Sequence, residues 1–162
     1  MLTIYCSSIT AQKIKTNRNN NVEDKIALKE LVALFSVLAD KKDTQGQTLL
    51  FTENANVTSI IGGNLVSNLT GRKQIGDAFT AFLDKFETVY HLNGQQIVTV
   101  NGDSATGISY CLVTLIGDEN GKKMKTIFGI HYEDSYLKIK NKWLIDKRKS
   151  IFDWQEKQEL KN

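Results

Sequence analysis

YHLNGQQIVTVNGDSATGISYCLVTLI, residues 90–116, reads as two strands and the turn between them. Tyr90–Val100 runs into Asn101-Gly102, a strong short hairpin signal because both residues tolerate positive φ. Ser104–Ile116, rich in β-branched and aromatic residues, is the returning strand. The same pattern continues downstream. Asp118-Glu119-Asn120-Gly121 turns the chain into a long strand at Lys122–Lys138, and Lys140-Asn141 turns it again into Lys142–Phe152. Everything after Thr88 therefore reads as a meandering antiparallel sheet. These strands exceed the usual length of about 5–6 residues, so the sheet should twist and curl.

Upstream the period changes to that of helices. Asn21 before Val22-Glu23-Asp24 has the form of a helix start, a capping side chain with acids in the first turn. Ala27, Leu31, Leu34, Phe35 and Leu38 recur at helical spacing, and Ile26, Leu28, Val32 and Val37 widen the stripe. That pattern predicts a helix lying deep against the sheet and ending near Asp40-Lys41-Lys42-Asp43. A short helix is expected at Thr44–Phe51, a strand at residues 55–61, a turn at Gly62-Gly63 and a short strand at Leu65–Leu69. Thr70 would then cap a third helix whose apolar face is Ile75, Phe79, Phe82, Leu83 and Phe86. Helices first and an antiparallel sheet last make an α+β fold. The concave face of the sheet would wrap the first helix and leave a cone-shaped cavity beside it, a natural place for a ligand.

Composition narrows the function. The 162 residues suit one domain, and 41% hydrophobic residues supply a core. Lys+Arg 21 against Asp+Glu 18 leaves +3, too small and too evenly spread to argue for nucleic acid. Two cysteines exclude a disulfide scaffold or a four-Cys zinc site within the chain. No apolar run approaches the roughly 18 residues that a membrane span needs. Proline is absent, so turns rest on Gly, Asn and Asp. Residues 1–21 read as an N-terminal arm, 22–154 as the domain and 155–162 as a tail. The expected location is cytoplasmic, or exported if Leu2–Gln12 is what remains of a secretory signal.

With the elements in this order, the chain resembles the SnoaL-like branch of the NTF2-like superfamily. The pieces that carry the resemblance are Asp40-Lys41-Lys42-Asp43, Leu50-Phe51-Thr52-Glu53-Asn54-Ala55, Gly71-Arg72-Lys73-Gln74-Ile75 and His91-Leu92-Asn93. Asn101 to Gly107, Ser109-Tyr110-Cys111-Leu112, Tyr132-Glu133-Asp134 and Lys142-Trp143-Leu144-Ile145 complete them. Together they span about residues 22–154. The resemblance implies a cone-shaped α+β barrel, with N-terminal helices packed on a long, curved, mostly antiparallel sheet. It does not imply a reaction, since the superfamily holds dehydratases, isomerases, cyclases, hydrolases and pure binding modules.

His91 and His131 are the only side chains that titrate near neutrality unperturbed. In the resembling scytalone dehydratases an Asp three residues before another Asp positions an essential His, and Asp40 and His91 match those two positions. As a pair they would form a general acid–base whose tautomer the carboxylate fixes. Read without the resemblance, Asp40 is a solvated carboxylate at a helix end and His91 a half-buried strand residue. Tyr132, Asp134, and Ser109 or Tyr110 are candidates to line the cavity. His131 alternates away from Tyr132 and should face the convex side. Two departures separate the chain from those dehydratases: no second His stands in the Ser109-Tyr110 strand, and Ala39 replaces the Tyr before the Asp.

The basic runs Lys122-Lys123-Met124-Lys125 and Lys147-Arg148-Lys149 read as solvated faces. Cys6 reads as an arm residue, Cys111 as a buried strand residue, and Trp143 and Trp154 as plugs of the core. No cofactor, metal site, nucleic acid or membrane partner is expected. The expected protein is a homodimer, paired through its convex sheet face, that holds a small, mostly apolar organic molecule. It would carry out lyase or isomerase proton transfer with Asp40 and His91; the alternative is a non-catalytic ligand-binding or assembly module of the same fold.

Overall fold

The computed structural model describes residues 5–161, and the side chains of residues 21–161. Met1–Ile4 and the side chain of Cys6 lie outside the described residues, and with them the start of the signal-like segment. Helix α1 spans Tyr5–Asp40, α2 Thr44–Leu49 and α3 Gly71–Leu83. The strands are β1 Phe51–Ile61, β2 Asn64–Thr70, β3 Thr88–Asn101, β4 Ser104–Glu119, β5 Lys122–Ile139 and β6 Lys142–Glu159.

Three expected boundaries move. The first helix does not begin at Asn21, because no Gly or Pro interrupts the chain from Tyr5 to Asp40 and the polar residues before Asn21 are compatible with a helix. The last strand continues past Phe152 to Glu159, held by pairing with β5 as far as Met124↔Glu159. The second helix is also shorter than expected, since Phe51 already belongs to β1.

The six strands form one sheet in the order β2-β1-β6-β5-β4-β3. Every pairing is antiparallel except β1 with β6. Gly102 sits at φ 58 while the strands pair Asn101 with Ser104, so the first long hairpin turns on Gly102-Asp103, one residue later than expected. Asn120-Gly121 and Lys140-Asn141 have positive φ at both residues, as tight primed turns require. Bulges between Asn93 and Gln96, at Gly129/Ile130 and at Ser135/Tyr136 break the long ladders, and such breaks bend and twist strands.

Helix α1 lies in the resulting concavity, but less deeply than its wide apolar stripe suggests. Leu28, Leu31, Val32, Phe35 and Ala39 are buried, whereas Ile26, Leu34 and Val37 are exposed. A three- and four-residue rhythm therefore gives one buried face, not a fully enclosed helix. Asp24 ties the helix to the β5–β6 hairpin by accepting from Lys138 Nζ at 2.7 Å and Trp143 Nε1 at 2.8 Å. Trp143 plugs this end of the core as expected. Trp154 does not: it is half exposed and covers Gly129, where an added Cβ would overlap its indole.

The core has two centres. One gathers Leu28, Phe35, Phe51, Ile75, Trp143 and Ile145; the other gathers Ala39, Leu83, Val113, Leu115, Ile130 and Tyr132. Among the described residues, no helix is long and apolar enough to cross a membrane.

Candidate active site

Asp40 is the last residue of α1, and the chain turns sharply after it. Lys42 takes a positive φ of 56° and its backbone N–H donates to Ala39 O at 2.9 Å, while Asp43 N–H donates to Leu38 O at 2.9 Å. The two aspartates of this segment then do different work. Asp43 caps α2, its Oδ1 accepting from Gly46 N–H at 2.8 Å. Asp40 turns to the first part of β3, where its Oδ1 accepts from the backbone N–H of His91 at 3.0 Å and pairs with His91 Nδ1 at 2.7 Å. The side chain of His91 is 7% exposed and that of Asp40 27%.

Burial lowers the His91 pKa below its ordinary value of 6.5, against the hydrogen bond and charge of Asp40, which pull it up. The neutral ring is thus favoured near neutrality. With Nδ1–H committed to the carboxylate, Nε2 is the nitrogen left free to exchange a proton.

His91 stands on the wall of a half-open cavity of about 310 Å³ between the helices and the concave face of the sheet. That is near the small end of ligand pockets, which run about 300–1,000 Å³. The wall is largely apolar, with Phe79, Phe82, Phe128 and Phe152 among its members. Phe128 and Phe152 meet edge to face, with centroids 5.4 Å apart. Among the described residues no group of three or more His, Cys, Asp or Glu is close enough to hold a metal ion.

The remaining candidates divide between the two faces. Tyr132 points inward, is 6% exposed and lines the cavity; burial pushes its phenol above the ordinary value. Ser109 also points inward and is buried, but it does not reach the cavity wall. Tyr110, offered with it as a cavity residue, stands on the outer face, half exposed beside His131 at 5.7 Å between ring centroids. Strand alternation allows only one of two neighbours inside. His131 is on the outer face as expected and pairs through Nδ1 with Asp153 at 2.7 Å. Asp134 points inward but is 4% exposed and lies off the cavity wall, because its carboxylate is engaged by Arg148.

Arg148 is the residue that sequence reasoning missed. It is 2% exposed, not part of a solvated basic face. Its Nε donates to Asp134 Oδ1 at 2.8 Å and its Nη2 to Oδ2 at 2.7 Å, while Tyr136 also donates to Oδ2 at 2.8 Å. The guanidinium packs against the rings of Phe35, at 4.3 Å, and Tyr132, at 4.4 Å. Burial works against its charge, but Asp134 outweighs that and keeps the pKa above its ordinary value. Arg148 lines the cavity, and its buried Nη1 has no hydrogen-bond partner among the described residues.

Gln47 was missed as well. It is 1% exposed on α2, lines the cavity and donates from Nε2 to Phe35 O at 3.2 Å, while its Oε1 is buried without a partner among the described residues. Cys111 is buried, and burial pushes its thiol up to about 12, so it remains protonated.

A model of the SnoaL-like domain matches residues 20–149. The chain belongs to the SnoaL-like domain family. A search of curated proteins finds no match. Among solved structures, this SnoaL-like domain is similar to a scytalone dehydratase-like protein from Novosphingobium aromaticivorans, with 16% identity and a TM-score of 0.77 over 89% of this chain and 93% of that one. It is also similar to a hexachlorocyclohexane dehydrochlorinase, with 14% identity and a TM-score of 0.73 over 90% and 94% of the two chains. An NTF2-like protein with a cystatin-like fold, again from Novosphingobium aromaticivorans, shares 20% identity and a TM-score of 0.63 over 85% of this chain and 87% of that one. At these identities the likeness is one of fold.

Proposed function

We propose that this SnoaL-like domain binds a small, mostly apolar organic molecule in its cavity and catalyses cofactor-independent proton transfer on it, as a lyase or isomerase. The observation that carries this reading is the 2.7 Å contact of Asp40 Oδ1 with Nδ1 of a histidine that lines the cavity. Asp40 holds Nδ1–H, His91 Nε2 takes a proton from a carbon next to a polarised group, and the imidazolium formed is stabilised by the carboxylate. Arg148 donates to the oxygen or leaving group on which negative charge builds, in a largely apolar site where such a contact is strong. The dehydratase and dehydrochlorinase descriptions of similar structures are compatible with such elimination chemistry. The aromatic residues supply shape and exclude water.

A homodimer through the convex face belongs to the same proposal. Tyr90, Leu92, Ile97, Ile108, Tyr110 and Leu112 are exposed on outer positions of β3 and β4. Light scattering decides it, and a monomer at high concentration refutes pairing.

Proton transfer is tested with simple cyclic ketones in deuterated water, following loss of the α-proton signal by NMR. The wild-type protein should accelerate exchange and His91→Ala should not. Ketones that bind without any accelerated exchange would replace this reading with that of a non-catalytic binding module.

A further inference from the structure

Helix α1 ends in a Schellman turn, in which Lys42 N–H donates to Ala39 O and Asp43 N–H to Leu38 O. The left-handed position of such a turn usually holds glycine, yet here it holds Lys42, at φ 56. A side chain kept where the backbone disfavours one calls for an explanation in that side chain. Lys42 Nζ donates to the backbone carbonyl of Phe86, in the loop between α3 and β3. The same loop is held from its other side by β4. Glu87 N–H donates to Ile116 O at 2.7 Å, and a Cβ added at Gly117 would come within 2.9 Å of Lys85 O. Asp40 stands just before Lys42 in the chain, and His91 soon after Phe86. Two ties therefore join the same two segments, the Lys42–Phe86 bond and the Asp40–His91 contacts. The charges that act on the His91 ring are those of Asp40 and Arg148, so the effect of Lys42 is one of position.

We propose that Lys42 is a positioning residue for the Asp40–His91 pair: its bond to the Phe86 carbonyl holds the end of α1 against the entry to β3 and keeps the carboxylate on His91 Nδ1–H. This rests on the proton-transfer reading above and adds a residue that touches neither the ligand nor a reacting atom. A small displacement between carboxylate and ring loses much of what orientation contributes. Without the tie, the neutral ring shifts toward its Nε2–H form. A nitrogen that already carries a proton cannot take one from the ligand.

The test uses the full chain with isotope-labelled histidine, as wild type, Lys42→Gly and Lys42→Asn. Gly and Asn both tolerate the left-handed backbone, so each variant removes the tie without adding strain. Ring nitrogen shifts are read by NMR at about pH 8, where the imidazole is neutral. The wild-type ring should be mainly Nδ1–H, and that share should fall in both variants. Exchange of the α-proton of a cyclic ketone should slow about tenfold in kcat, with KM little changed. An unchanged tautomer and kcat in either folded variant overturns the role of Lys42 and leaves the Asp40–His91 reading standing. A loss that appears in KM alone overturns it too. A wild-type protein that accelerates no exchange removes the proton-transfer reading, while the tautomer comparison still decides whether Lys42 positions the pair.

Discussion

A single oxygen of Asp40 serves His91 twice, accepting its backbone N–H at 3.0 Å and meeting its ring Nδ1 at 2.7 Å. The backbone bond fixes where β3 passes the end of α1, and the ring bond fixes which imidazole nitrogen is free. Position and protonation of the histidine thus depend on one carboxylate.

Asp40→Asn separates the two roles. The amide oxygen can still accept the backbone N–H, but the negative charge that favours Nδ1–H and a protonated ring is gone. Proton-transfer turnover should fall by about 10²-fold or more while ligand affinity changes little. The His91 titration, followed by NMR, should move further below 6.5. An unchanged titration would show that Asp40 exerts no charge effect on the ring.

His91 also makes stability depend on pH. Its folded pKa lies below the ordinary 6.5, chiefly because of burial, so the unfolded chain binds more protons here as pH falls through 6.5. Stability therefore decreases on acidification, beginning near 6.5 and levelling once the folded ring itself protonates. Urea unfolding across this range should show a steeper loss for the wild-type protein than for His91→Gln. Equal slopes would contradict the assigned direction.

Arg148 and Asp134 are buried almost completely, at 1% and 0% side-chain exposure. Arg148→Met leaves the Asp134 carboxylate without its cation and should destabilise the fold by about 3–5 kcal/mol in denaturant unfolding. Adding Asp134→Leu to that variant should recover much of the loss, since the stranded charge is then removed. Failure to recover would place the cost in packing against Phe35 and Tyr132 instead.

Gly129→Ala tests the outer cover of the sheet. The added methyl overlaps the Trp154 indole, which must swing away. A loss of about 1–3 kcal/mol is expected, with a change in tryptophan fluorescence, and Trp154→Ala should relieve most of the loss. A fluorescence spectrum identical to the wild type would refute the contact.

Most of the fold was legible because its signals are local: alternating strands, Gly and Asn turns, and the one-sided helix at Ile75–Phe86. Asp40 and His91 were legible through the family resemblance, not through spacing. Arg148 was hidden by a register shift. Trp143 and Ile145 face inward, and unbroken alternation would send Lys147 and Lys149 inward after them. The bulge at Ser135/Tyr136 leaves Asp146 unpaired between Ile145 and Lys147, which flips the strand and brings Arg148 opposite Asp134. Gln47 was hidden for another reason: a short polar helix gives no periodic sign of which side chain it buries.

The parallel pairing of β1 with β6 has a consequence for the order in which the domain forms. Thr52 and Asp146, bonded at 2.9 Å, are 94 residues apart in the chain. The antiparallel meander can zip up from neighbouring strands, but the β1–β2 hairpin can dock only after β6 is in place, and such distant closures are slow. Because β1, β2 and β6 all contribute to the cavity wall, the cavity should be complete only after that closure. A ligand added during refolding would report that final closure and nothing before it.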